Sequence, residues 1–268
     1  MQVVAQEYLS VTIVQQNIVW QNTTANLQKL DELLSSVNQT DIMVLPEMFN
    51  VGFTMNAKEV SVYSNVTLDW MKEKSKSKNC AIVGSIPTEE NGVFFNRLFW
   101  VEPNGKIVHY DKRHLFRMAN EHEHYKSGTK KIIIHYKGWK ICPLVCYDLR
   151  FPVWSRNKFT NGNYDYDLLI YVANWPQPRS NAWTILLQAR AIENVSYCVG
   201  VNRVGEDGNG LNYLGDSAVY NFKGEKLSQL KTAIEDVETT QISKKELDFF
   251  REKFPVGLDA DNFQLNTL

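Results

Sequence analysis

Residues 139–154 read W-K-I-C-P-L-V-C-Y-D-L-R-F-P-V-W, and the rest of the chain is organised around this stretch. The apolar run 141–145 has the pattern of a strand buried on both faces. A polar elbow, Tyr147-Asp148-Leu149-Arg150, follows at once, and Pro152 stands where a helix can begin, so residues 151–160 are expected to be helical. Cys146 then falls at the carboxyl end of a buried strand, over a helix N-terminus whose unpaired N–H groups and dipole favour a thiolate. Position alone does not make it a nucleophile, because cysteine is among the residues most often simply buried.

With 268 residues and 44% hydrophobic content, the chain is long enough to bury a substantial core, and no Gly/Ser/Pro-rich linker divides it. A single domain over residues 1–268 is expected. A net charge of -1 with both signs interspersed leaves no electrostatic footprint for nucleic acid, and no polybasic or amphipathic stretch points to a membrane. The expected partner is a small molecule. Residues 1–10 lack the charged start and apolar centre of a signal peptide, which predicts a cytoplasmic protein. Cys80, Cys142, Cys146 and Cys198 each lie in an apolar, strand-like run, which predicts buried reduced thiols rather than a disulfide framework. No metal is expected: Cys142 and Cys146 lack a second Cys/His pair, and His122 and His124 lie on a polar loop without further ligands.

In chain order, residues 9–16 read as a strand, and Asn22 or Thr23 can cap a helix carrying Leu27, Leu30, Leu33 and Leu34. Strand 42–45 runs into Pro46-Glu47-Met48-Phe49, helix 70–78 follows, and 80–86 is a third strand. Strands 94–101 and 106–111 form a hairpin about Glu102-Pro103-Asn104-Gly105, placing Lys112 just past a strand end. Residues 117–128 are polar, as expected of a loop over a site. Strands 131–136 and 139–145, strand 168–173, helix 181–194 and strand 197–201 then repeat the order of the first half. Strands 217–221 and 233–239 and a helix from Lys244 close the fold, leaving a tail from about Pro255 that can dock on a partner subunit or fray.

Glu47, Lys112 and Cys146 all leave strand ends, and such positions converge at one edge of an α/β sheet. A carboxylate can take a thiol proton, a thiolate can attack a carbonyl carbon, and an ammonium can hold the negative charge that develops on oxygen. Each has a plainer reading alone, Glu47 as a helix cap and Lys112 as a surface cation; the combination argues for catalysis. For Asp148 and Arg150 the plainer reading is an ion pair that holds the elbow, and it competes with ligand contact.

The motifs L-P-E-M-F around Glu47, Y-D-K-R-H-L-F around Lys112 and C-Y-D-L-R-F-P around Cys146 resemble the nitrilase, or carbon–nitrogen hydrolase, superfamily. The resemblance extends from Ser10 to about Thr240. It implies an α/β fold of four layers, an α-β-β-α sandwich, usually assembled as a homodimer through its outer helices and C-terminal tail. It implies a Glu-Lys-Cys triad with Glu47 as base, Lys112 as oxyanion-side cation and Cys146 as nucleophile, and no cofactor. A second family glutamate falls on Glu121, ahead of Ser127-Gly128, with Glu123 as the other candidate; its implied role is to orient the amide or pair with Lys112. The Tyr147 N–H would complete an oxyanion hole, in which one donor is worth about 3 kcal/mol of transition-state stabilisation.

Within the family, P-E-M-F-N-V-G-F-T-M-N, R-H-L-F-R-M-A-N-E-H, Y-V-A-N-W-P-Q-P-R, R-A-I-E-N and V-N-R-V-G resemble the omega-amidase branch. That branch acts on the terminal amide of 2-oxoglutaramate and 2-oxosuccinamate. Such a substrate carries a carboxylate far from the scissile amide, so the pocket needs a cation or several N–H donors opposite Cys146. Arg150 and Arg179 are the candidates, with Phe49, Phe53 and Trp175 as walls, each aromatic being equally suited to core packing. The alternatives are another amidase, such as an N-carbamoyl amino acid amidohydrolase, a nitrile-hydrolysing enzyme, which the flanking motifs fit less well, and a binding protein that kept the fold.

Overall fold

The computed structural model describes residues 6–261 and 263–265; the expectation of a missing leader in residues 1–10 thus falls partly outside it. The first half of the chain contains β1 (Tyr8–Gln15), α1 (Thr23–Leu33), β2 (Ile42–Val44), α2 (Ser64–Lys78), β3 (Ala81–Glu90), β4 (Val93–Val101) and β5 (Ile107–Asp111). The second contains β6 (Ile134–Tyr136), β7 (Trp139–Val145), β8 (Leu168–Ala173), α3 (Ser180–Asn194), β9 (Tyr197–Asn202) and β10 (Ala218–Tyr220), before β11 (Asp236–Ser243) and α4 (Lys244–Lys253).

The strands form two mixed sheets, ordered β11-β1-β2-β3-β4-β5 and β10-β9-β8-β7-β6. In the first, β1, β2 and β3 run parallel, and in the second, β7, β8 and β9 do. Side chains alternate faces along a strand, and the alternation sorts the layers. Leu9, Val11 and Ile13 of β1, Ile42 and Val44 of β2, and Leu98 and Trp100 of β4 belong to one core shared with Ile141, Val145, Leu168, Ile170, Val172, Tyr197 and Val199 of the other sheet. The opposite parity, Val14, Met43, Ile82, Phe99 and Val101, packs with Leu30 of α1 and Trp70 and Met71 of α2. On the far side of the second sheet α3 lies so close that a Cβ on Gly200 would meet Leu187 Cδ1 at 2.3 Å. The layers are therefore helix, sheet, sheet, helix, the four-layer sandwich that the resemblance implied.

Two local expectations fail. The helix over 151–160 shrinks to a 3-10 turn at Cys146–Arg150 and one helical turn at Pro152–Ser155, and Phe159–Thr160 pairs instead with Asn163–Tyr164 in a small ribbon. Asn157 is the reason: it donates to the carbonyls of Tyr166 and Asn194 and receives the Tyr166 N–H, bonds that a continuing helix would break. The polar segment 117–128 is also more ordered than a loop, with a 3-10 turn at Arg117–Ala119 and a helical turn at Glu121–His124.

Candidate active site

Five chain segments bring side chains to the edge where the two sheets meet. Glu47 follows β2, Lys112 follows β5, Cys146 follows β7 and Asn174 follows β8, while Glu121 sits on the short helix at Glu121–His124. Lys112 Nζ lies 2.8 Å from Glu47 Oε1 and 2.9 Å from each oxygen of Glu121. All three side chains are shut off from solvent except the tip of Lys112. Asn96 on β4 adds its amide nitrogen at 2.7 Å from Glu47 Oε1 and 3.2 Å from Glu121 Oε1. The Asn174 N–H meets Glu47 Oε2 at 2.8 Å, and its side-chain amide donates to the Glu47 carbonyl. Cys146 Sγ sits 3.8 Å from the Asn174 carbonyl oxygen.

The backbone is turned sharply at Cys146 and beside Glu47. Cys146 has φ +44° and Met48, next to Glu47, has φ +43°, in the left-handed region that ordinary side chains seldom adopt. Asp148 holds the cysteine turn. It is fully buried and accepts the Val145 N–H at 3.0 Å, the Tyr110 hydroxyl at 2.8 Å and the His114 N–H at 3.0 Å, with His114 Nδ1 at 2.7 Å. One carboxylate thus ties the turn carrying Cys146 to the segment just past Lys112. The expected ion pair between Asp148 and Arg150 does not form: the 3-10 turn points Asp148 inward and Arg150 out to solvent.

Electrostatics assign the charges. Burial works against a charge on Lys112, but Glu121 and then Glu47 outweigh it and raise the ammonium pKa. Burial raises the Glu121 carboxyl, with Lys112 opposing and Glu47 adding to the rise. The Cys146 thiol is pushed well above its ordinary value, first by burial and then by Glu47, with Lys112 pulling the other way. This runs against the expectation of a helix N-terminus that favours the thiolate: no full helix follows Cys146, and burial beside Glu47 disfavours a charged sulfur.

A cavity of about 530 Å³ opens onto Cys146 and Lys112. Phe53, Phe116, Tyr147 and Trp175 wall it, and the Lys112 Nζ lies 5.0 Å from the centre of the Phe53 ring. Arg150 stacks over Trp175 at 5.0 Å and Arg179 over Phe116 at 5.2 Å, both within the lining. Asp207 also lines the cavity, but its carboxylate is taken up by the Tyr213 hydroxyl and the N–H groups of Asn209 and Leu211. Phe49 is a correction. It is fully buried outside the cavity lining, against Trp70 and over Gly84, where an added Cβ would lie 2.8 Å from its ring. Glu123, the other candidate for the second glutamate, is exposed, whereas Glu121 is buried on Lys112.

Asn96 and Asn174 escaped the reading of the sequence. For Asn96 a signal existed: it shares strand parity with Leu98 and Trp100, so a polar amide faces the core between the sheets and needs partners there. Asn174 acts mainly through its backbone N–H, which no side-chain pattern reveals.

Comparison with known proteins shows the family. The chain belongs to the carbon-nitrogen hydrolase family, matching it over residues 10–252. The omega-amidase YafV of Escherichia coli (strain K12) is 48% identical over 257 residues, covering 96% of this chain and 98% of that protein. The 2-oxoglutaramate amidase of Bacillus subtilis is 29% identical over 252 residues, 92% of this chain and 95% of the relative. Among solved structures, the CN-hydrolase superfamily protein XC1258 of Xanthomonas campestris superposes with a TM-score of 0.94 at 42% identity, covering 97% of this chain and all of its own.

Proposed function

We propose that the protein is an omega-amidase, hydrolysing the terminal amide of 2-oxo dicarboxylic acid monoamides such as 2-oxoglutaramate and 2-oxosuccinamate to the dicarboxylate and ammonia. The observation that carries the chemistry is the buried cluster in which one ammonium bridges Glu47 and Glu121 beside Cys146, at the floor of a cavity with two arginines in its wall. The named relatives above support the choice of amide.

Glu47 is the base. It takes the Cys146 proton as the sulfur attacks the amide carbon, so no free thiolate has to persist in a buried site. The tetrahedral oxyanion lies between the Lys112 ammonium and the Tyr147 N–H, and Glu121 holds Lys112 in place. Collapse of the intermediate breaks the C–N bond, and Glu47 returns the proton to the leaving ammonia. A water molecule, deprotonated by the same carboxylate, then attacks the thioester, releases the acid and restores the thiol. Residues of this chain supply every group in the sequence, and the reading needs no cofactor.

Arg150 and Arg179 receive the distal carboxylate, with Phe53 and Trp175 flanking the apolar stem. Neither arginine forms an ion pair among the described residues, and both are held against rings, which keeps their charge available. We read the chain as one catalytic domain that forms a cytoplasmic homodimer. Four buried free cysteines suit a reducing compartment. Exposed Ile185 and Ile192 on α3, with Phe249 on α4 and Leu258 beyond it, offer the apolar surface.

Ammonia release on a panel of 2-oxoglutaramate, glutamine, N-carbamoyl-alanine and simple nitriles tests the substrate. Activity confined to a carbamoyl compound would replace this reading with the amidohydrolase alternative. Arg150→Gln and Arg179→Gln should each raise KM for 2-oxoglutaramate about tenfold or more and leave a neutral amide less affected.

A further inference from the structure

We propose that Asn96 is a positioning residue for the reaction: its single amide nitrogen, shared between Glu47 and Glu121, seats both carboxylates on Lys112 and keeps Glu47 ready to accept a proton. The proposal rests on the reading of Glu47 as the base.

Two buried carboxylates converge on one ammonium, and like charges so close disfavour each other's ionised form. Asn96 offsets this without adding charge. Its Nδ2 donates across 2.7 Å to Glu47 Oε1 and 3.2 Å to Glu121 Oε1, the same two oxygens that Lys112 meets. Its carbonyl accepts the Lys112 N–H at 3.0 Å, so the same residue fixes the backbone of the lysine and the side chains of both partners. The groups that meet Glu121 are all donors: Lys112, Asn96 and the Phe116 N–H. These donors, Lys112 first, oppose the rise that burial and Glu47 impose on the Glu121 carboxyl. Glu47 Oε1 is likewise occupied by donors, and its Oε2 receives the Asn174 N–H.

Asn96 Oδ1 is buried with no partner among the described residues, an arrangement that costs stability. A leucine would fill a comparable volume on a face where Leu98 and Trp100 already point inward. What leucine cannot supply is the pair of N–H bonds to the carboxylates.

A donor aimed at an ionised carboxylate favours the charged form, so losing it should move the acid limb of the reaction upward. The titratable groups facing Glu47 are Lys112, Glu121, Cys146 and Tyr125; the substitution keeps all four side chains and takes one donor from Glu121 as well as from Glu47. In the intact enzyme, the rate of Cys146 alkylation by iodoacetamide and kcat/KM for 2-oxoglutaramate are to be followed against pH for wild type and Asn96→Leu. The acid limb of both should rise by about one pH unit, with about a tenfold loss of rate on the acid side. Rates that fall evenly with an unmoved limb would reduce Asn96 to a packing role and overturn the proposal. If Asn96→Leu does not fold by circular dichroism, Asn96→Gln serves, since it keeps an amide donor. Its limb should stay near that of wild type, and a rise of about one full unit would overturn the proposal. Alkylation needs no substrate, so a wild type that labels normally but releases no ammonia would sink the omega-amidase reading and leave the role of Asn96 open to this same measurement.

Discussion

The backbone N–H of Asn174 donates to Glu47 Oε2 across 2.8 Å, and the Asn174 side chain reaches back to the carbonyl of the same glutamate. Glu47 hangs from the first sheet and Asn174 from the second, so the acid is clamped across the seam between them. The active geometry is thereby a property of sheet-on-sheet packing rather than of one loop.

Replacing Cys146 by alanine should abolish ammonia release, a loss of at least about a thousandfold, while leaving far-UV circular dichroism intact. Residual turnover near the wild-type rate would remove the sulfur from the mechanism.

Because burial and Glu47 push the Cys146 thiol up, its alkylation should keep accelerating with pH beyond the point where an ordinary exposed thiol levels off. Stopped-flow or mass-spectrometric labelling rates across the neutral and alkaline range check this, and an early plateau would contradict it.

Lys112→Met should be among the most destabilising single changes in the chain. It leaves two buried carboxylates without their cation, at a cost of about 3–5 kcal/mol in urea unfolding, along with the loss of activity. The double variant with Glu121→Gln should recover part of that stability but none of the turnover.

Asp148→Asn keeps the shape of the side chain but removes the charge onto which the Val145 N–H, the Tyr110 hydroxyl and His114 converge. We expect kcat to fall about ten- to a hundredfold with KM nearly unchanged, since the turn rather than the pocket is loosened. A change confined to KM would argue against this.

Away from the site, Asp167 is a buried carboxylate meeting Lys244 at 2.9 Å and Arg251 at 2.7 Å, which dock α4. Burial raises its pKa, but Lys244 and Arg251 outweigh that, and the net shift is downward. A carboxyl whose folded pKa is depressed adds stability above its unfolded pKa and loses it as pH falls through the folded value. Acid unfolding of wild type should therefore include this group, and Asp167→Asn should flatten the acid slope while lowering stability at neutral pH.

Much of this was legible in the chain. The strand ends could be located because apolar runs such as 42–45 and 141–145 stop abruptly at polar residues, and three reactive side chains stood at those stops. What failed depended on tertiary partners. The helix expected at 151–160 yields to the bonds of Asn157 with Tyr166 and Asn194, which lie beyond the reach of a local pattern. Phe49 and Phe53 stand four residues apart with the same chemistry, yet one fills the core and the other faces the cavity. The supposed pairing of Asp148 with Arg150 overlooked Tyr110 and His114, distant in sequence and close in space.

If Cys146 is the nucleophile proposed above, its left-handed backbone sets the protein's durability against its chemistry at a single residue. Holding a side chain there carries a conformational penalty of about 1–3 kcal/mol, which alanine would not relieve and glycine would. A glycine at this position should thus give a catalytically dead protein that melts higher than the living enzyme, and valine or threonine, branched at Cβ, should fare worst of all. Selection for thermostability alone would find this position and silence it.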